Sequence, residues 1–194
     1  MENILLNSLD FPVLTVTTFL PLAGALLILF IRNEVWIKWL ALATTAATFI
    51  VSLPIYTHFD KATYKMQFVE IHPWIPAWNI SYKVGVDGIS VLFIILVTIL
   101  NILCVSVSWR AIQEKTKAFF ISLLIMETAM IGVFVSLNIF LFYLFWELTL
   151  IPMFLLIGVW GGSNRIYATI KFVLFTLAGS VLMLVGIIVL YYAG

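Results

Sequence analysis

Six apolar runs divide this chain: roughly Phe11–Ile31, Val35–Tyr56, Val86–Trp109, Ala118–Val135, Ile139–Val159 and Ile166–Tyr192. At ~1.5 Å per helical residue, each is long enough to cross the hydrocarbon core of a bilayer. None shows the apolar/polar alternation of a membrane barrel strand. Only helices and closed barrels satisfy their own backbone in lipid. The pattern therefore predicts an all-α fold, a polytopic transmembrane helical bundle of about six spans, with residues 1–194 forming one transmembrane domain. The one sizeable polar interval is Thr57–Lys83. Within it Tyr64–Ile71 reads as a short strand. The following His72-Pro-Trp-Ile-Pro76-Ala-Trp78 suits a stiff loop lying on the membrane interface. A packing cap over the helix ends explains this interval better than a ligand site.

Composition sharpens the class. The chain is 64% hydrophobic and 10% charged, with a mean hydropathy of +1.18, whereas soluble domains are about 45–50% apolar and about 25% charged. This is the composition of an integral membrane protein. A net charge of +1 without a basic cluster gives no reason to expect a nucleic-acid partner. The single cysteine, Cys104, lies inside an apolar run, and no C-x-x-C or Cys/His cluster offers a zinc or iron–sulfur site. His58 and His72 both fall in the connecting interval, and no metal is expected there. The first run follows an acidic N-terminus and is too long for the core of a signal peptide, so it reads as a retained span. Arg32, Lys38, Arg110, Lys115, Lys117 and Arg165 fall on one side of the membrane, and only Lys61, Lys65 and Lys83 on the other. The positive-inside rule then places the N-terminus outside, periplasmic in a bacterial inner membrane.

Against this apolar background three ionisable residues stand out. Glu147 is the only charge in the run Ile139–Val159. A carboxylate near the centre of a membrane helix costs about 2.5–3.5 kcal/mol on insertion scales, so an intramembrane acid reads first as a functional site. Glu127 lies in the preceding run and Lys171 in the following one. Counting residues from the span ends places both carboxylates near mid-membrane, with Lys171 about 7–8 Å from the inner surface. Burial disfavours the charged form of either kind of group. Three such groups on consecutive helices suit a proton relay. Competing readings stay open: a structural hydrogen bond for Glu127, and a Lys171 that snorkels to the inner interface. Pro152 cannot donate to the carbonyl of Leu148, which is left free for water or a side chain, or merely marks a kink. Gly132, Gly158, Gly179 and Gly186 suit close helix contacts. The phenylalanines of Phe134–Phe154 read as packing or lipid-facing groups.

These residues also fall into a familiar series. Val84-Gly-Val-Asp87-Gly-Ile-Ser90 opens the third span. Glu127-x-x-Met130-x-Gly132-x-Phe134 is followed by Leu141-Phe-Tyr-Leu-Phe-Trp-Glu147-Leu-Thr-Leu-Ile-Pro-Met-Phe154, then by Ile157-Gly-Val-Trp-Gly161 and Lys171-Phe172. Taken in order, and covering nearly the whole chain, they resemble the antiporter-like M-type subunits of the proton-pumping NADH:quinone oxidoreductase, respiratory complex I. The resemblance implies proton translocation coupled to electron transfer from NADH to quinone. It implies Glu147 as half of the proton-channel charge pair, with Glu127 and Lys171 in relay or tuning roles. It implies no cofactor in this chain, with NAD, FMN, iron–sulfur clusters and quinone held by partner subunits. The partners would be other membrane subunits of complex I, including neighbouring antiporter-like subunits, and the lipid bilayer. Many relatives carry an aspartate where this chain has Asn138. Such subunits are built from two inverted repeats, and this chain ends after the sixth helix, so it is expected to be an N-terminal fragment or a split gene product. The alternatives are a cation/proton antiporter subunit without redox chemistry, and a non-pumping scaffold.

Overall fold

The computed structural model describes residues 4–6, 11–75 and 80–193. Six helices follow the six apolar runs: α1 (Val13–Phe30), α2 (Glu34–Thr57), α3 (Gly88–Ala111), α4 (Thr116–Val135), α5 (Ile139–Trp160) and α6 (Arg165–Ala193). All six are long and apolar enough to span a membrane, so the chain is a multi-pass membrane protein. Consecutive helices pack side by side, and α1 also packs against α4. Helices α1–α4 thus form a closed group, with α5 laid on α4 and α6 on α5.

The interval between α2 and α3 departs from the expected stiff loop. It folds as an antiparallel pair, β2 (Met66–Ile75) and β3 (Ile80–Val86), and β1 (Ile4–Leu6) joins β2 in parallel. Pro73 sits inside β2, where the register slips between Pro73 and Ile75. Proline cannot donate to the ladder and is tolerated at such irregularities. The expected strand over Tyr64–Ile71 therefore continues further, through Ile75. Pro76, Ala77 and Trp78 of the expected loop, and Glu2 and Asp10 of the acidic N-terminus, lie outside the described residues.

This sheet caps one end of the bundle. Helix α1 starts after Pro12, which has no side-chain acceptor. Its orphan amides are met from 56 positions away: Leu14 N donates to Glu70 Oε1 at 2.9 Å and Thr15 N to Glu70 Oε2 at 3.2 Å. The Thr15 hydroxyl donates to the same carboxylate and also meets Tyr82 Oη at 2.9 Å. On the other flank, Leu137 N donates to the carbonyl of Lys83 at 2.9 Å, and Val84 bridges Ser136. A side chain at Gly85 would meet the Leu137 side chain at 2.6 Å, so the glycine leaves room for Leu137 of the α4–α5 turn against the sheet. Asp87, directly after β3, N-caps α3 by accepting from Ser90 N at 2.7 Å. This bond holds its carboxyl below the ordinary carboxylate range. The Val84–Ser90 run is thus a strand end and a helix start in one.

The opposite end is basic. Lys117 Nζ donates to the carbonyl of Leu29, Lys38 Nζ to that of Trp109 and Arg165 to that of Val159, at 2.6, 2.8 and 2.9 Å. These carbonyls belong to the last turns of α1, α3 and α5. Cations there satisfy orphan acceptors and oppose the negative end of the helix dipole. The Lys/Arg asymmetry seen in the sequence is therefore also a set of helix caps.

Two apolar clusters fill the bundle. One lies at the sheet end and includes Val13, Leu14, Ile55, Val91, Ile94, Ile131, Val135 and Phe145. The other lies at the basic end and includes Ala25, Ile28, Ile37, Ala41, Val105, Phe120 and Leu124. Between them, on all four helices of the closed group, the buried positions turn polar. They are Thr17 and Thr18 on α1, Thr44, Thr45, Thr48 and Ser52 on α2, Thr98 and Asn101 on α3, and Glu127 and Thr128 on α4.

Candidate functional site

Helices α4 and α5 form a hairpin about the short turn Ser136-Leu137-Asn138. Asn138 closes it by N-capping α5, its side chain accepting from Phe140 N and Leu141 N. Capping is a role to which asparagine is well suited. Gly132 of α4 lies against the ring of Phe145, where any side chain would collide, so the two helices are locked close at this level. Glu127 and Glu147 each stand ten residues from Leu137, on opposite arms of the hairpin. At ~1.5 Å per residue both lie at the same depth, about 12 Å in from the ends of α4 and α5 that meet at the turn. Both acids therefore stand near the middle of their helices.

Glu127 belongs to the fully buried stripe Phe120, Leu124, Glu127, Ile131 and Val135 of α4. Its spacing of three and four residues is one helix face. Among the described residues, neither of its carboxyl oxygens has a hydrogen-bond partner, and nor does the adjacent Thr128 hydroxyl.

Glu147 is half-buried and faces α6 across an apolar groove of about 500 Å³ lined by Leu144, Leu148, Ile151, Phe154, Val173 and Leu177. Its Oε1 is buried without a partner. Tyr143, one turn earlier on α5, brings its hydroxyl within electrostatic reach of both Glu147 and the buried Ser180 of α6. Pro152 is buried within a continuous α5, five residues beyond Glu147, and leaves the Leu148 carbonyl without its helical donor.

Lys171 is brought to neither acid. Gly158 of α5 faces Thr169 of α6, which a side chain at the glycine would meet at 3.4 Å. Lys171, two residues beyond Thr169, therefore lies about 13 Å along the helix axes from Glu147. Its side chain is exposed and its ammonium stands over the Tyr167 ring at 5.8 Å. Among the described residues no ion pair joins Glu127, Glu147 and Lys171. The two carboxylates share a depth, and Lys171 lies nearer the basic end. Gly132 and Gly158 make the close contacts expected of them, whereas Gly179 and Gly186 face open space.

Sequence reasoning passed over Tyr143, Ser180 and Glu70. For Tyr143 the signal was its position four residues before Glu147, on the same helix face. For Ser180 and Glu70 it was absent, because both reach their partners across long sequence separations.

Comparison with known proteins places this arrangement. Residues 136–194 match the family described as NADH:quinone oxidoreductase/Mrp antiporter, TM. The NADH-quinone oxidoreductase subunit M of Rhodobacter capsulatus is 48% identical over 187 residues, which cover 92% of this chain and 35% of that protein. The NADH-ubiquinone oxidoreductase chain 4 of Arabidopsis thaliana is 42% identical over 175 residues, covering 89% and 35%. The chain thus spans a little over a third of the length of these curated relatives. A chain of respiratory complex I from Thermus thermophilus superposes with a TM-score of 0.76 at 27% identity, covering 90% of this chain and 35% of that one. A chain of the Mrp complex from Dietzia sp. DQ12-45-1b shares the fold, with a TM-score of 0.70 at 18% identity.

Proposed function

We propose that this chain, which belongs to the antiporter-like membrane subunits of NADH:quinone oxidoreductase and corresponds to the N-terminal part of an M-type subunit, forms part of a path for protons across the membrane. The observation that carries the proposal is the α4–α5 hairpin, with two carboxyl groups at matched mid-helix depth and oxygens that find no partner. Ionisable groups so placed are expensive to insert and are held where charge must move. Glu147 is the switching carboxylate. It faces the α5–α6 groove, with the Tyr143 hydroxyl in electrostatic reach as a group that can both donate and accept. Glu127 is the second proton-carrying group, and Lys171 a tuning charge nearer the basic end.

Electron transfer belongs to other subunits, which would hold NAD, FMN, iron–sulfur clusters and quinone. The partners are the other membrane subunits of that assembly, neighbouring antiporter-like subunits among them. The N-terminus and the sheet face the periplasm of a bacterial inner membrane, and the basic end faces the cytoplasm, in keeping with the positive-inside rule.

The test is co-purification. A tagged chain extracted from its own membranes in mild detergent should bring with it flavin, iron–sulfur absorbance and NADH oxidation. Recovery in a membrane complex that lacks all three would overturn the redox-coupled reading in favour of a cation/proton antiporter.

A further inference from the structure

The basic end of the bundle carries more cations than its helix ends use. Lys38, Lys117 and Arg165 are each spent on a carbonyl of a last helical turn. Arg32, in the α1–α2 turn, and Arg110, near the end of α3, are exposed and have no such partner among the described residues. Beside Arg32 a groove of about 740 Å³ runs along α2, lined by Ile31, Asn33, Trp36, Trp39, Leu40 and Ala43. Trp36, Trp39, Leu40 and Ala43 follow the three- and four-residue spacing of one helix face. Trp39 meets the Trp109 ring of α3 edge-on at 5.1 Å, and Arg110 follows Trp109, so the end of α3 flanks this face. The groove is graded from polar to apolar. Asn33 marks its outer end, and Ala43 lies ten residues deeper, about 15 Å along the helix axis. Trp36 and Trp39, 66% and 55% exposed, stand between them, as tryptophans do at a membrane interface. Among the described residues neither indole N–H has an acceptor. Glu34, the one acid in residues 31–43, falls on the opposite stripe of α2 with Ile37, Lys38 and Ala41, turned away from the groove. Indole and guanidinium groups donate hydrogen bonds and accept none. This face therefore offers donors and positive charge at the head of an apolar trough.

We propose that this face of α2 seats one anionic phospholipid from the membrane leaflet at the basic end, with its phosphate toward Arg32 and Arg110 and its acyl chains along Trp36, Trp39, Leu40 and Ala43. The phosphate and ester oxygens are acceptors that match the free donors. A zwitterionic lipid carries its own ammonium group, which the two arginines repel, so the seat favours the anionic headgroup. Basic residues set at the end of a membrane helix attract anionic lipid in this way. A free phosphate ion has no tail to fill the trough. The inference goes beyond the proton path and stands apart from it, because none of Glu127, Glu147 and Lys171 lines this groove.

The test is photo-crosslinking of the assembled complex in phosphatidylcholine vesicles that hold a minor fraction of phosphatidylglycerol. A photoactivatable acyl chain is carried by the phosphatidylglycerol in one set and by an equal amount of phosphatidylcholine in the other. Labelled peptides are then read by mass spectrometry. The peptide covering residues 31–43 should be labelled roughly fivefold or more in favour of phosphatidylglycerol. Arg32→Gln should lower its phosphatidylglycerol labelling roughly fivefold, the worth of one cation at the membrane surface, and leave phosphatidylcholine labelling as it was. Adding Arg110→Gln should lower it further by a similar factor, whereas Arg32→Lys, which keeps the charge, should retain most of it. High salt should shrink the preference in the wild-type complex, and this arm decides the matter if the variants fail to assemble. Equal labelling by the two lipids in wild type overturns the proposal, because bulk lipid alone then bathes the face. Absence of label from this peptide overturns it as well, because protein then covers the groove. So does a preference that survives the loss of both arginines or, where the variants do not assemble, one that high salt leaves unchanged.

Discussion

Replacing Glu70 by alanine should open the first turn of α1 and leave the rest of the bundle in place. The Glu70 carboxylate is buried and takes two backbone amides of α1, Leu14 N at 2.9 Å and Thr15 N at 3.2 Å, together with the Thr15 hydroxyl. Pro12 has no side chain that could take over. Each amide loses a charge-assisted bond, and a buried donor left unmade costs about 1–3 kcal/mol. Loss of the negative charge at a helix N-terminus adds about 0.3–1 kcal/mol. The local cost is then about 3–5 kcal/mol, and at 1.4 kcal/mol per decade it corresponds to a loss of amide protection of roughly a hundredfold or more. Hydrogen exchange followed by mass spectrometry, on peptides covering Phe11 to Leu20, reads this directly. Glu70→Gln keeps an acceptor oxygen and should fall between wild type and alanine. Peptides from the α4–α5 turn should change little, since the sheet holds that turn through Lys83 and Val84 backbone contacts instead. Unaltered protection at Leu14 and Thr15 in Glu70→Ala would refute the reasoning, because it would show that the sheet rests on α1 without capping it.

Three further outcomes follow. Asp87 has a folded-state pKa below its ordinary value because it accepts from Ser90 N. Its contribution to stability is therefore present above the ordinary carboxylate range and lost as pH falls through the depressed folded value; thermal unfolding of Asp87→Asn should accordingly show a weaker acid-side decline than wild type. Lys171 is exposed over Tyr167, so as a tuning charge it should tolerate arginine better than alanine, with pumping rates compared at equal assembly; arginine as damaging as alanine would mean that release of its proton is required. An impermeant maleimide applied to intact cells should label a cysteine placed at Asn7 and spare one at Gln113, and the reverse pattern would invert the proposed orientation.

The helices were legible because each must satisfy its backbone and cover itself with apolar side chains within one continuous stretch. Hydropathy therefore found all six ends to within about two residues of where α1–α6 start and stop. The sheet was not legible to the same degree. Its strands pair across the interval, Glu70 with Val84 and His72 with Tyr82, and the prolines of that interval read locally as turn residues. Glu70 itself went unread, since nothing near it in sequence announces that α1 lacks a cap. The two glutamates stood out because a charge in an apolar run is costly wherever it points. The polar layer escaped notice because threonine and serine barely change hydropathy. The signal was there in the bunching of Thr17 and Thr18, and of Thr44, Thr45 and Thr48, at mid-span on neighbouring helices.

The central claim, that Glu147 switches protons, is tested most directly by the proton-to-electron ratio of Glu147→Gln. The amide keeps the shape of the side chain in the α5–α6 groove and removes its titration. NADH oxidation and acridine quenching would be followed together in membrane vesicles, with complex content matched on native gels. The account predicts assembled complex, continued NADH oxidation and a proton-to-electron ratio clearly below wild type. A wild-type ratio in fully assembled Glu147→Gln complex would contradict it.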